Sequence, residues 1–170
     1  MALACSSAGR AAGRPAFPTA SAKRRSDTNA ELKARALRYL ARREHSRDEL
    51  ARKLSPHAES PEVLEALLRE LESRKQLSNK RFAEERAHWL ARKYGAAKIR
   101  QDLKSKGVED ALVERVSNEG ELERATAILK RKYHDQATTR EERARRARFL
   151  QSRGFSYDTI YRAVRIEDDE

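Results

Sequence analysis

The stretch "YLARRE" (39–44) decides how this chain is read, because it is written twice more, as "WLARKY" (89–94) and "ILKRKY" (128–133). Each copy sets a large apolar residue and a leucine before one spacer, two basic residues and a variable sixth. A phrase that returns every 40–50 residues or so marks a repeated structural unit.

Glycine and proline show how the units are divided. Beyond residue 27 they are Pro56, Pro61, Gly95, Gly107, Gly120 and Gly154, and each falls where the apolar periodicity pauses. Helix starts are written beside them. "TNAE" (28–31) and "SRDE" (46–49) match the capping box, in which Ser or Thr and a Glu satisfy orphan amide donors. "SPEV" (60–63) offers a serine cap with proline in the first turn. "TREE" (139–142) places acids at the positive end of a helix dipole. These signals predict helices over 29–44, 47–55, 61–74, 79–94, 96–106, 109–118, 121–135, 140–153 and 157–165, with no strand.

Taken in threes, the helices repeat. The first of each triplet carries the phrase. The second carries Leu50/Leu54, then Ile99/Leu103, then the adjacent Phe149/Leu150. The third carries Val63/Leu67/Leu71, Val108/Leu112/Val116 and Phe155/Ile160/Val164, spacings that share one helix face. The link between second and third helices also recurs, as "LKSKGV" (103–108) and "LQSRGF" (150–155). In both, glycine ends a helix in a left-handed cap and an apolar residue packs back. The expected fold is all-α, an extended, curved tandem array of three three-helix modules over 28–76, 77–118 and 119–165. A disordered basic extension (1–27) and an acidic tail (166–170) flank them. Tyr39, Phe82, Trp89, Phe149 and Phe155 fall on apolar stripes and are expected in the cores, Tyr157 and Tyr161 near the surface.

The chain has 38 Lys+Arg against 27 Asp+Glu, a net charge of +11. Its two ends cancel, since Arg10, Arg14, Lys23, Arg24 and Arg25 face Asp27 and the closing "EDDE" (167–170). The surplus therefore belongs to the helical body and favours a polyanionic partner. Arg42/Arg43, Arg92/Lys93 and Lys130/Arg131/Lys132 hold equivalent places in the three modules. Arg100, Lys104, Lys106 and Arg153 extend the set. A recurring line of cations suits a repetitive partner, either a nucleic-acid backbone or a polymer of protein subunits. The same side chains, at helix C-termini, also offset the negative dipole end.

Signals of catalysis are lacking. His45, His57, His88 and His134 form no pair at metal-ligand spacing, and there is no glycine-rich phosphate loop or nucleophile elbow. No catalytic, metal-binding or cofactor-binding residue is expected. The single Cys5 permits no intrachain disulfide and fits a reducing compartment. No apolar run approaches the roughly 20 residues that span a bilayer. The opening "MALACSSAGRAAGRPAFPTASAKRR" is read as a disordered basic extension or the product of an upstream start codon, with an organellar transit peptide as the alternative.

Three stretches carry a family resemblance: "ALRYLARREHSRDELARKL" (36–54), "FAEERAHWLARKYGAAKIRQDLKSKGV" (82–108) and "RRARFLQSRGFSYDTIYRAV" (145–164). Over about residues 30–165 the chain resembles the RecX regulatory proteins, bacterial modulators of the RecA recombinase. "LSNKRFAEER" (77–86) looks like the family's link into its second module, where an acid often stands at the position of Asn79. That departure is expected to weaken a helix cap. The resemblance implies a chain that lies in the helical groove of the RecA–DNA filament and bridges successive subunits. It implies lowered recombinase, ATPase and SOS coprotease activities, weaker electrostatic binding to free single- and double-stranded DNA, and no cofactor. A monomer without membrane association is expected. Besides a plant organellar protein similar to this family, if the N-terminus is a targeting segment, two rivals remain open at this point. One is a stand-alone DNA-binding protein with a helix-turn-helix in "YGAAKIRQDLKSKGVEDALVERV" (94–116). The other is a helical scaffold or ribosome-associated factor.

Overall fold

The computed structural model describes residues 27–133, 135, 137 and 139–169. Residues 1–26 of the extension expected over 1–27 lie outside the described residues, as do Cys5 and His134. The elements follow as α1 (Asn29–Leu40), α2 (Arg47–Leu54), a 3-10 turn (Ser55–His57), α3 (Pro61–Ser73), α4 (Asn79–Ala91) and α5 (Ala96–Ser105). They continue with α6 (Asp110–Val113), α7 (Glu121–Lys132), α8 (Arg140–Ser152) and α9 (Tyr157–Asp169). The described residues contain no strand, so the protein is all-α.

Local chemistry explains most of the helix starts. Thr28 Oγ1 accepts the Glu31 N–H while the Glu31 carboxylate accepts the Thr28 N–H at 2.8 Å, a complete capping box. Thr139 and Glu142 form the same box at α8. Ser60 caps α3 with Pro61 at the first helical position. At Ser46 only half the predicted box forms. The hydroxyl accepts the Glu49 N–H at 3.1 Å, but the Glu49 carboxylate turns to Arg43, at 2.6 and 3.1 Å. The guanidinium offers two parallel charged donors, a stronger partner than one backbone amide.

Three separate cores lie in sequence. The first is built on Leu32, Leu50, Leu54, Leu68 and Leu71, none with exposed surface. The second gathers Phe82, Leu90, Ile99, Leu103 and Val113, and the third Leu129, Leu150, Phe155, Ile160 and Val164. The tandem array of three-helix modules expected from the repeats is the observed architecture.

Details differ from expectation. In α3, Leu64 and Leu68 are buried beside Leu67 and Leu71, while Val63 is only half-buried. The helix expected over 109–118 closes after Val113. The Val116 carbonyl accepts from Arg100 at 2.8 Å, and the same guanidinium reaches Asn118 Oδ1 at 3.1 Å. The break itself is the Val116 N–H, which turns to Val113 O at 3.1 Å, and the Arg100 bonds with the turn-forming Ser117–Asn118 pair then hold the chain outside the helix. α9 runs on to Asp169, through residues expected as a separate acidic tail. Asp27, grouped with the extension by sequence, pairs with Arg35 at 2.7 Å and donates its N–H to the His57 carbonyl.

Three links end in the same way. After α5 the Val108 N–H reaches Leu103 O and the Gly107 N–H reaches Lys104 O, with Gly107 at φ +71°. After α8, Phe155 bonds Leu150 O and Gly154 bonds Gln151 O, with Gly154 at φ +77°. After α3 the pattern repeats, Gln76 to Leu71 O and Lys75 to Glu72 O, but the left-handed position holds Lys75, at φ 58°. A lysine there bears a Cβ penalty that glycine lacks. Lys75→Gly is therefore expected to raise the unfolding free energy by about 1 kcal/mol, read from the urea midpoint at unchanged slope. A lower midpoint would contradict the assignment.

The modules join through these same caps. The rim of the Gly107 turn lies on the first turn of α2, where Ser46 Oγ donates to Lys106 O at 2.7 Å. The Gly154 turn lies on the first turn of α5, where the Gly95 N–H reaches Arg153 O at 3.0 Å and the Ala97 N–H reaches Gly154 O. The negative end of each second helix thus meets the positive end of the one before it, α8 on α5 and α5 on α2. Asn79, expected as a weakened cap, is instead a tie across the first joint. Its Oδ1 accepts the Arg47 N–H at 2.8 Å and its Nδ2 donates to Glu109 at 2.9 Å. The cap of α4 is Ser78, which accepts the Arg81 N–H.

Glu121 ties the second joint. It is 2 % exposed, with Oε1 accepting the Ala96 N–H at 2.8 Å and Oε2 accepting from Ser156 N–H and Thr159 Oγ1 at 3.3 and 3.0 Å. One carboxylate therefore serves the starts of both α5 and α9. Burial alone would push its pKa up, but these hydrogen bonds outweigh burial and hold it below the ordinary glutamate value.

Candidate partner-binding surface

The basic pairs of the repeated phrase stand where a helix gives out. Arg42 and Arg43 follow the cap of α1, Arg92 caps α4 and Lys93 follows it, and Lys130, Arg131 and Lys132 form the last turn of α7. The phrase thus encodes a buried leucine, Leu90 or Leu129, followed by cations at the negative helix end.

The eleven candidate cations divide by what they touch. Arg43 is bound to Glu49 and to the Glu44 carbonyl, and its hydrogen bonds draw the Glu49 pKa down to about 2. Arg100 is held by Val116 O and Asn118, and Lys104 by Asp110 at 2.9 Å. Arg153 donates to Lys93 O at 2.9 Å and lies over Phe149, 4.5 Å from the ring centre. Lys106 gives its carbonyl to the first joint. Lys132 sits 3.7 Å above the centre of the Phe149 ring. Lys130 is exposed on α7. Arg42, Arg92, Lys93 and Arg131 are exposed, with no ion pair among the described residues.

Two of these, Arg92 and Arg131, share a groove. It runs between α4 and α7, with Ala91, Ala127 and Ile128 as its floor and His88, Arg92, Arg124 and Arg131 on its sides. Arg92 also borders a second groove of about 510 Å³ along α4, with Arg43, Phe82, Glu85, Arg86 and Trp89. His88 belongs to both. The two grooves therefore adjoin along α4 at His88 and Arg92. Arg42 lies beyond the α1 end, and the Lys132–Arg153 pair sits against Phe149 in the third module.

Trp89, expected in the second core, is 52 % exposed. Phe82 and Trp89 stand seven residues apart, two turns, and so share one face of α4. That face is covered at Phe82 and open at Trp89. Arg86 lies 5.4 Å and Lys93 5.8 Å from the indole centre. Periodicity placed the residue on the correct stripe; how far the stripe is covered depends on tertiary packing. Tyr157 and Tyr161 are exposed as expected, while Tyr39 and Phe149 are half-buried against their cores.

Sequence reasoning missed two buried polar groups. Glu121 reads as an ordinary first-turn acid. His45 reads as a scattered histidine, yet it is 2 % exposed, its Nδ1–H donating to Arg43 O and its Nε2 accepting from Lys53. Burial, chiefly, lowers its pKa against the opposing pull of the Arg43 carbonyl, and the two partners fix which ring nitrogen carries the proton.

Comparison with known proteins agrees with this architecture module by module. The family model for the first three-helix domain of RecX matches residues 33–71, the second 78–116 and the third 119–164. The chain is 45 % identical over 142 residues to the regulatory protein RecX of Leptothrix cholodnii, covering 82 % of this chain and 90 % of that protein. It is 44 % identical over 145 residues to RecX of Herbaspirillum seropedicae, covering 81 % and 94 %. The crystal structure of RecX from Lactobacillus salivarius shares the fold, with a TM-score of 0.73 at 20 % identity, over 84 % of this chain and 97 % of that one. With all three domain models matched in order, the chain belongs to the RecX family of regulatory proteins.

Proposed function

We propose that this protein binds along the groove of a RecA–DNA filament and lowers the filament's ATP hydrolysis, strand exchange and coprotease activity in the SOS response. The observation that carries the reading is RecX family membership across all three modules. The physical arrangement supports it. Each module contacts its neighbours through a small joint, so the array can follow a helical track. Several modest contacts on one polymer reinforce each other through effective concentration. Exposed Arg42, Arg92, Lys93 and Arg131 add electrostatic attraction to the DNA of the filament. The setting is the bacterial cytoplasm.

The helix-turn-helix rival fares worse. Its reading helix would be α6, and four residues span only about 6 Å, too little to lie along a major groove.

The test is ATP hydrolysis by the cognate RecA on single-stranded DNA, titrated with this protein. Suppression well below one molecule per recombinase subunit supports filament control. Suppression only in proportion to exposed nucleotides would replace the proposal with simple DNA sequestration. Reversing Arg92 and Lys93 together to Glu is expected to raise the half-inhibiting concentration about tenfold, with unchanged far-ultraviolet circular dichroism. Unaltered inhibition would remove these two residues from the contact.

A further inference from the structure

We infer that Trp89 is a stacking platform for an unpaired nucleobase, so that the second module carries a built site for single-stranded nucleic acid. It deepens the electrostatic DNA binding expected from the sequence by assigning it a stacking residue, and is tested without any recombinase present.

Half the indole surface meets solvent, whereas a tryptophan that serves a core is covered. Exposing so large an apolar face costs stability that burying it would recover. Arg86 and Lys93 border the ring from the turns on either side. Arg86 is already held by Asp102 through two hydrogen bonds of 2.8 and 3.0 Å. It therefore fixes one edge of the platform and contributes little free charge. Lys93 and Arg92 form no ion pair among the described residues and supply the charge a phosphate needs. His88 and Arg131 continue the basic path into the groove between α4 and α7. The acids nearby are Glu44, paired with Arg81 at 2.7 Å, and Glu85, exposed one turn before Trp89 on α4, whereas Lys93 follows the ring. Glu49 is bound to Arg43.

An aromatic face beside a cationic path is how single strands are held without reading their sequence. Bases in a duplex already stack on one another, so the platform selects unpaired strands. Phosphates follow Lys93, Arg92 and Arg131 while one base lies on Trp89. A protein side chain on the same ring is the competing occupant, and the experiment separates them.

Trp89 is the only tryptophan in the chain, so its fluorescence reports this site alone. The full-length protein is titrated with a 15-nucleotide oligo(dT), reading tryptophan quenching and, with a labelled strand, anisotropy. Quenching that saturates with binding is expected, together with weaker binding to a duplex of equal length. Trp89→Leu keeps the apolar bulk without the aromatic face and is expected to weaken oligo(dT) binding about tenfold, while Trp89→Phe retains most of it. The residue is half-exposed, so both variants are expected to keep wild-type circular dichroism. Oligo(dT) binding without quenching, or wild-type affinity in Trp89→Leu, would overturn the proposal. If that variant binds oligo(dT) normally but loses inhibition of RecA, the ring is a protein anchor and the stacking site is refuted. Failure to inhibit RecA leaves the oligo(dT) result standing, so the two readings fail separately.

Discussion

Replacing Glu121 by alanine is expected to lower the unfolding free energy by about 3–5 kcal/mol and to split unfolding into two transitions. The carboxylate accepts from Ala96, Ser156 and Thr159 in a place almost closed to water. Alanine leaves those donors buried without an acceptor, and each such group costs about 1–3 kcal/mol. The donors belong to different modules, so the loss falls on their coupling as well as on the third core. In a linear array the joint term is what makes neighbours melt together. Differential scanning calorimetry resolves the two transitions. A single transition at the wild-type midpoint would dismiss the joint as energetically trivial.

The same residue sets a pH dependence. Its folded pKa lies below the unfolded value, so its stabilisation is complete above the unfolded glutamate pKa of about 4.3. It is lost as pH falls through the lower folded value. Glu121→Gln should therefore be less stable than wild type at pH 7, with the gap closing as the pH drops below about 4.3. A constant gap across that range would show that charge is not what the site uses.

The second large effect is expected at Gly154, where alanine should cost about 3 kcal/mol. The residue sits at φ +77°, and a Cβ there would lie 2.6 Å from the Lys98 backbone nitrogen and 2.7 Å from its Cβ. The left-handed conformation alone costs about 1–2 kcal/mol; the backbone collision adds to it and forces the joint apart. Gly107 is the control. Its conformation is similar, but an added Cβ would meet side-chain atoms of the exposed Asp48, whose carboxylate can swing away and whose Cβ, at 2.9 Å, needs only a small shift. Gly107→Ala should therefore cost about 1–2 kcal/mol. Equal losses at the two glycines, measured by urea unfolding, would show that close packing at the second joint is not limiting.

These two sites mark where the sequence could be read and where it could not. The repeated phrase, the capping boxes at Thr28 and Thr139 and the paired "LKSKGV" and "LQSRGF" links each depend on residues a few positions apart. Local chemistry therefore wrote them plainly enough to give the three-module fold. The joints depend on residues far apart in sequence: Ser46 with Lys106, Gly95 with Arg153, Glu121 with Ala96. No local pattern distinguishes Glu121 from any other first-turn acid. The path of the chain past α6 was hidden for the same reason, since Arg100 holds the Val116 carbonyl from 16 residues away. Among the candidate cations, spacing named Arg92 and Arg131, which are exposed. It did not separate them from Arg43, Arg100 and Lys104, whose positions are equally periodic but whose charges face acids or carbonyls within the molecule. Trp89 was placed on its stripe and mistaken for core, because a stripe does not state how much of it a neighbour covers.

The joints also give the array a direction. At its berth α5, with a glycine at its cap, leaves opening amides for the Gly154 turn, whereas α2 keeps its Ser46 cap and offers the Gly107 turn the hydroxyl proton. α8 closes its own first turn through Thr139 and Glu142. Because glycine turn always meets helix start, copies can be grafted only head to tail, and one spliced on behind α9 would meet the Thr139 hydroxyl as the Gly107 turn meets that of Ser46.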